Sequence, residues 1–290
     1  MRRLYRAAAL AVLAAANIAA HAQDNGPSTR SEMPAAPESA ASAVGAPAAA
    51  SKFEGALGLV LTHKPDYSGS SERKFSPQLA GFVRYGRFTL TGAGGFTTRR
   101  NDDVERGLDA ELVRREGLRV DLALRFDPGR RESESVQLAG MGDIDPTIRT
   151  RLGVRWQPVP RWQLSLGASL DSLGRGGGYT IDAGVSRTFQ IDGRQRVVLG
   201  AGASGAGDRY LQTWYGVSDD QALASGYPAY RPSEGLRDVH ASATWRIEYN
   251  PQWAGFTSLN VGRLLGAAAD SPLTHQRSSV SLSAGIARRF

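Results

Sequence analysis

Past the first 22 residues the chain holds three histidines, His63, His240 and His275, and it has no cysteine anywhere in its 290 residues. Nucleophilic catalysis from such an inventory needs a serine and a histidine within about 2.6–3.2 Å and a third group to orient the base. His240 with Ser242 is the pair that spacing offers. Residues two apart on a strand share a face, yet their side chains seldom meet in that geometry. The pair therefore reads as a polar network, and a hydrolase is the weakest of the functional readings. His63 and His275 fall in expected loops. The lack of cysteine removes thiolate zinc sites and thiol nucleophiles, and so few histidines leave little for transition metals. Asp143 and Asp145 supply two oxygens without the further ligands calcium requires, so they read as a turn. Gly200-x-Gly202-x-x-Gly205 has the dinucleotide-binding spacing, but that motif needs a tight turn and a helix. Here the glycines lie in a strand entering a loop. Asp270-Ser271-Pro272 reads as turn initiation. No catalytic residue, metal or cofactor is expected.

The charged residues say more. Lysine occurs only at 52, 64 and 74, so nearly all positive charge is arginine. Arg119 and Arg125 alternate with apolar residues over 118–126, and Arg149, Arg151 and Arg155 do so over 147–156. Leu118, Val120, Leu122, Leu124 and Phe126 form the opposite face of the first segment. Ile148, Thr150, Leu152, Val154 and Trp156 form that of the second. In a strand such sets point to opposite sides. Val239, Ala241, Ala243, Trp245 and Ile247 likewise oppose His240, Ser242, Thr244, Arg246 and Glu248. An arginine facing lipid at mid-depth costs about 2–4 kcal/mol. In a membrane barrel the polar set therefore belongs inside, where Arg119, Asp121, Arg125, Arg149, Arg151, Arg155, His240, Arg246 and Glu248 would line the lumen. Asp121 and Glu248 are candidate partners for the β-strand arginines. A salt-bridged filling of the barrel and an anion-favouring pore both fit this set.

Twelve such segments are expected, near 53–62, 77–86, 87–97, 107–115, 117–126, 146–156, 161–171, 178–189, 194–204, 236–249, 255–265 and 278–290. At about 9–11 residues they suit tilted membrane strands rather than the roughly 5–6 of globular ones. Links after even strands are short and those after odd strands are long (63–76, 98–106, 127–145, 172–177, 205–235 and 266–277), as in outer-membrane barrels. The expected fold is all-β, a twelve-stranded antiparallel transmembrane barrel over residues 53–290, with the short turns and both ends in the periplasm. The even strand count lets the first strand pair with the last, leaving no unpaired edge in hydrocarbon. The link 205–235 carries Tyr210, Trp214, Tyr215, Tyr227 and Tyr230. So aromatic a loop folds inward or docks a partner, and inward folding is favoured because a 31-residue link without packing is unusual.

Ahead of the barrel, Met1–Arg6 is a basic n-region, Ala7–Ala19 an apolar h-region and Ala20-His21-Ala22 a cleavage site. Residues 1–22 are thus expected to be a cleaved signal peptide. The run is too short and alanine-rich for an anchor, and no cysteine follows it for lipidation. Its three arginines account for part of the formal charge of +7, leaving +4. The remaining arginines are interleaved with acids, which argues against a nucleic-acid partner. Residues 23–52 are Ala, Pro and Ser with little else and are expected to be a disordered tether. No later run of 18 apolar residues exists, and the mean hydropathy of −0.31 excludes a polytopic helical protein. Phe290, with Ile286, Ala284 and Leu282 at alternate positions before it, suits a terminal strand recognised by the barrel-assembly machinery. Arg288 stands where an aromatic residue is usual.

Several stretches carry a resemblance: Pro65-Asp66-Tyr67-Ser68-Gly69-Ser70, Arg84-Tyr85-Gly86-Arg87-Phe88, Leu138-Ala139-Gly140-Met141-Gly142-Asp143-Ile144-Asp145 and Tyr210-Leu211-Gln212-Thr213-Trp214-Tyr215-Gly216-Val217. Ala224–Tyr230, Gly235–Val239, Arg263–Pro272 and the terminal Arg289-Phe290 extend it. Together they resemble the MltA-interacting protein (MipA/OmpV) family of outer-membrane proteins, over about residue 53 to the end. The resemblance implies an outer-membrane barrel of a Gram-negative envelope. In one branch it implies a non-enzymatic scaffold joining a lytic transglycosylase to a peptidoglycan synthase, and in others a porin-like channel or an adhesion protein. It assigns no catalytic residue. Partners expected are outer-membrane lipid, the assembly machinery and, for the scaffold, those two murein enzymes.

Overall fold

The computed structural model describes residues 53–92 and 107–290. The expected signal peptide, tether, far part of the third strand and the whole link after it lie outside the described residues. Twelve strands form, and the boundaries follow the alternation. They are β1 (Phe53–Pro65), β2 (Arg73–Tyr85), β3 (Phe88–Thr91), β4 (Gly107–Arg115), β5 (Leu118–Asp127) and β6 (Thr147–Trp156). Then come β7 (Trp162–Asp171), β8 (Tyr179–Gln190), β9 (Gln195–Ala206), β10 (Gly235–Glu248), β11 (Trp253–Leu264) and β12 (Ser278–Arg289). Each pairs antiparallel with its sequence neighbours, and β1 pairs with β12 from Ala56↔Arg289 to His63↔Leu282. The sheet is a closed barrel, so every strand has a neighbour on each side and no edge strand is left.

Alternation divides the two faces. Leu57, Leu59 and Leu61 of β1, Leu79 (71% exposed) of β2, and Leu122, Leu124 and Phe126 of β5 stand out from the barrel. Asp121 (6%) and Arg125 (8%) point the other way. A soluble protein would bury the first set and expose the second; a barrel in lipid inverts this. At the end bearing the short turns, Tyr85, Phe88, Trp156, Trp162, Trp253 and Phe290 are outward-facing or terminal aromatics. Amphipathic rings gather at this depth because one edge prefers hydrocarbon and the other water. No helix among the described residues is long and apolar enough to cross a membrane.

Two expected boundaries move. β1 continues to Pro65 and β2 begins at Arg73, so this ladder is thirteen residues long. His63, expected in a loop, is in β1 and stacks on Phe75 at 4.5 Å. The cross-strand Lys64↔Lys74 pair and Pro77 concealed the extension, since neither like charges nor proline favours a ladder. The link after β9 is also not irregular. It contains helices α1 (Asp208–Tyr215) and α2 (Asp219–Ser225), the second opened by a capping box between Ser218 and Gln221 and closed by Gly226 at φ 79°. A left-handed residue at that position is one that glycine accepts at no cost. A short α3 (Gly266–Ala269) lies in the link after β11.

Candidate functional site in the lumen wall and its loop cap

The charged wall is built by β4, β5, β6 and β8. Alternation puts Arg119, Asp121, Ala123 and Arg125 on the inner face of β5, and register sets Arg119 opposite Arg155 and Arg125 opposite Arg149 on β6. Three of the cations find a carboxylate one or two strands away. Arg155 donates to Asp121 at 2.7 Å, and Arg125 grips Asp109 of β4 with two bonds of 2.7 and 3.1 Å. Arg151 reaches across β7 to Asp182 of β8 at 2.7 Å. It passes over Gly167, where a Cβ would sit 2.1 Å from its Nη2. Only glycine lets the guanidinium lie flat on the wall there. Arg149 donates to the Gly177 carbonyl at 3.1 Å, with Asp127 at 3.9 Å.

On β10, His240 Nδ1 and Asp238 share a hydrogen bond at 3.1 Å; the hydrogen bond does not go to Ser242. An aspartate orients the ring, and among the described residues no serine hydroxyl bonds to it. Glu248 bonds Arg289 of β12 at 3.1 Å instead of serving the β5–β6 arginines, and Arg246 faces Arg196 of β9 in register. Glu248 cannot reach those arginines, because β10 is four strands away from β6 around the wall. Many inner positions of β7 to β10 and β12 are small, including Ser165, Gly184, Ser186, Gly200, Gly202, Ser242 and Ser281, alongside the charged Asp182, Arg196, Arg246 and Glu248. Gly200 and Gly202 are thus strand residues. A helix does follow β9, but it opens with Asp208, whose charge would repel a phosphate.

The aromatic link folds onto its neighbours. Leu211 and Tyr215 of α1 pack with Ala206, Leu264, Ala268 and Ala269, with Tyr210 and Trp214 alongside. Met141, Val217 and Leu273 form a second cluster, flanked by Tyr227 and Tyr230. Polar ends of the same rings tie the links together. Tyr215 Oη bonds Ser68 at 2.8 Å, Tyr230 donates to the Ala267 carbonyl at 2.8 Å, and Tyr227 donates to that of Gln137 at 3.1 Å. Tyr227 also meets His275 at 2.9 Å. Tyr210 stacks on Trp214 and receives two wall cations on its face, Arg149 at 5.2 Å and Arg237 at 5.5 Å. Links after β1, β5, β9 and β11 thus interlock as a cap at the long-loop end, with α1 held against the lumen wall. Burial raises the Tyr215 phenol to about 12 and pushes that of Tyr67 higher still. Arg130, inserted between Tyr67 and the Trp214 carbonyl, has its pKa lowered by burial.

Asp143 accepts the Glu132 amide at 2.8 Å, as a turn residue does, and no group of three or more potential metal-ligating side chains occurs among the described residues. Sequence reasoning missed Asp109, Asp182, Arg289, Tyr67 and Arg130. Asp109 and Asp182 occupy inner positions of their strands' alternation, which was a usable signal. Tyr67 and Arg130 lie in irregular links where no period exists.

Residues 57–290 match the model of the family described as MltA-interacting protein MipA. The chain belongs to this family. Its outer-membrane β-barrel fold, with lipid-facing aliphatics and a charged interior, is the family's domain from β1 to the last residue. No curated protein matches the chain. Among solved structures it is similar to an outer-membrane channel from Pseudomonas putida F1, with 11% identity, TM-score 0.41, and 82% of this chain and 95% of that one covered. It is also similar to the outer-membrane protein OmpT of Vibrio cholerae, with 7% identity, TM-score 0.37, and 82% and 97% covered. A third is the outer-membrane channel DcaP of Acinetobacter baumannii, with 7% identity, TM-score 0.35, and 82% and 95% covered.

Proposed function

We propose that this member of the MltA-interacting protein family is a non-enzymatic scaffold of the outer membrane. In this reading it holds a lytic transglycosylase near a peptidoglycan synthase. Residues 1–22 serve as a cleaved signal peptide, residues 23–52 as a periplasmic tether, and Phe290 as part of the assembly signal. The observation that carries the reading is the cap: links from four hairpins interlock at the long-loop end, and three wall arginines are tied to carboxylates. A barrel capped in this way is better suited to presenting its periplasmic side than to free diffusion. The family's own name supports the partner class. Cross-linking in intact envelopes followed by denaturing purification tests it. A transglycosylase or synthase joined to the barrel is expected; recovery of the barrel without either enzyme, at cross-linker doses that trap known envelope complexes, would refute it.

A channel is the second reading, favoured by one observation. The glycines and serines on the inner face of β7 to β12 leave room beside the arginine wall. Sustained conductance in planar bilayers that falls when Arg151 and Arg155 are neutralised would select it.

A further inference from the structure

The outward face of the barrel carries a groove of about 520 Å³ that crosses the seam where β1 meets β12. Thr257 of β11 and Ala284 of β12, opposite each other in register, form its floor. Trp245 and Ile247 of β10 stand on one side, and Leu59 and Leu61 of β1 on the other. Small residues between large ones leave the concavity. Apolar surfaces in a bilayer have no water to escape, so an occupant is held by packing and by whatever polar contact it makes. A hydrocarbon chain lying along the groove restores the dispersion contacts that an unfilled concavity forfeits.

The polar contact is at the short-turn end. Ile286 borders the groove there, and Arg288, two residues further along β12, lies on the same face and is exposed. Register sets it between Leu57 of β1 and Trp253 of β11. Tyr249 lines the same end, its ring so close to Gly255 that a Cβ there would stand 3.1 Å from the hydroxyl. Trp253 and Tyr249 mark the depth of the lipid headgroups. At that depth a guanidinium meets phosphate, which it takes in charge-assisted, bidentate hydrogen bonds. The outward, alternate positions of the five strands (53–65, 73–85, 239–249, 253–263 and 278–288) hold no aspartate or glutamate. A second copy packed by the same face therefore brings Arg288 no acid, and the ammonium of a zwitterionic lipid meets no carboxylate on it.

We propose that the groove and Arg288 bind one anionic glycerophospholipid from the leaflet at the short-turn end. An acyl chain lies in the groove and the phosphate sits on Arg288. A water requires roughly 10–15 Å³ on this measure, so the groove has room for a long run of methylenes. The inference requires the barrel to stand in a bilayer and does not rest on the scaffold reading.

Native mass spectrometry of the full chain, refolded in non-ionic detergent, tests it. The probes are phosphatidylglycerol and phosphatidylethanolamine with identical acyl chains, and glycerol phosphate, which has none. Saturable binding of one phosphatidylglycerol per chain is expected, at least tenfold tighter than that of phosphatidylethanolamine, with no retention of glycerol phosphate. It should weaken at least tenfold in Arg288→Gln, which removes the partner of the phosphate, and in Ala284→Phe, which fills the floor. It should be unchanged in Arg263→Gln, an outward residue at the long-loop end of β11. Heat-modifiable migration identifies the folded barrel in each variant. Arg288→Gln alters one exposed side chain, so it carries the test should Ala284→Phe fail to fold. Absence of saturable binding, equal affinity for the two lipids, retention of glycerol phosphate, an Arg288→Gln affinity equal to the parent protein's, or a mass of two chains in place of lipid overturns the proposal.

Discussion

Leu211 is 1% exposed and lies at the centre of the layer that fastens α1 to Ala206, Leu264, Ala268 and Ala269. Leu211→Ala removes three carbons from this layer. Truncation of a buried leucine to alanine costs about 2–5 kcal/mol, the larger values where the surroundings do not collapse. α1 is eight residues long and flanked by Gly207 and Gly216, so partial collapse is expected and about 3 kcal/mol is a reasonable figure. At about 1.4 kcal/mol per tenfold, the opening of α1 becomes on the order of 100-fold more frequent. Amide hydrogen exchange of the detergent-solubilised barrel reads this directly, since opening free energies differ among cooperative units. The amides of Leu211 and Gly216, bonded to Gly207 and Gln212, should exchange about 100-fold faster, while β5 and β6 keep their protection. Unchanged exchange at these two amides would mean that the apolar layer does not hold the cap. Loss of protection in β5 and β6 as well would mean that cap and barrel are one unit.

Three other outcomes follow from the contacts. Asp182→Asn strands the Arg151 guanidinium on the wall. With lumen water screening the loss, the cost is about 1–3 kcal/mol, and the double change Arg151→Met with Asp182→Asn should recover much of it in denaturant titrations of the refolded barrel. The Tyr215 phenol ionises near 12 in the folded cap, against about 10 unfolded. Its contribution is therefore complete below pH 10 and lost as pH rises from 10 to 12, by about 2–3 kcal/mol. Tyrosinate absorbance should show a late equivalent near pH 12 that Tyr215→Phe abolishes. Phe290 packs on Phe53 with ring centroids 6.1 Å apart, over Gly55. Phe290→Ala should lower the yield of heat-modifiable, folded barrel in cells without changing the amount of chain exported.

The barrel was legible because its two faces meet different solvents. Leu118 to Phe126 and Thr147 to Trp156 have so strict a period that strand limits and inner residues followed at once. Short and long links then fixed the ends. What escaped depends on contacts between strands. Asp121 was a visible partner for the arginines, but the pairing of Arg151 with Asp182 requires the β6–β7–β8 register and the glycine at 167. Glu248 had the right face and the wrong neighbourhood. The aromatic residues of the β9–β10 link signalled inward packing, yet its two helices are too short for a strong period, and their positions depend on Arg130, Tyr67 and Ser68 in other links. The inward placement of Arg114 was invisible because a bulge in β4 between Glu111 and Val113 decides which way it points.

Closure of β1 on β12 in the outer membrane is the claim on which the rest depends. Thr62 and Ser283 face each other across that seam, with hydroxyl oxygens 3.0 Å apart, and the chain has no cysteine to interfere. Thr62→Cys with Ser283→Cys, oxidised in isolated outer membranes, should give a disulfide within one chain, seen as faster gel migration that reductant reverses. Free thiols after oxidation, or a bond formed only between chains, would contradict the closed barrel.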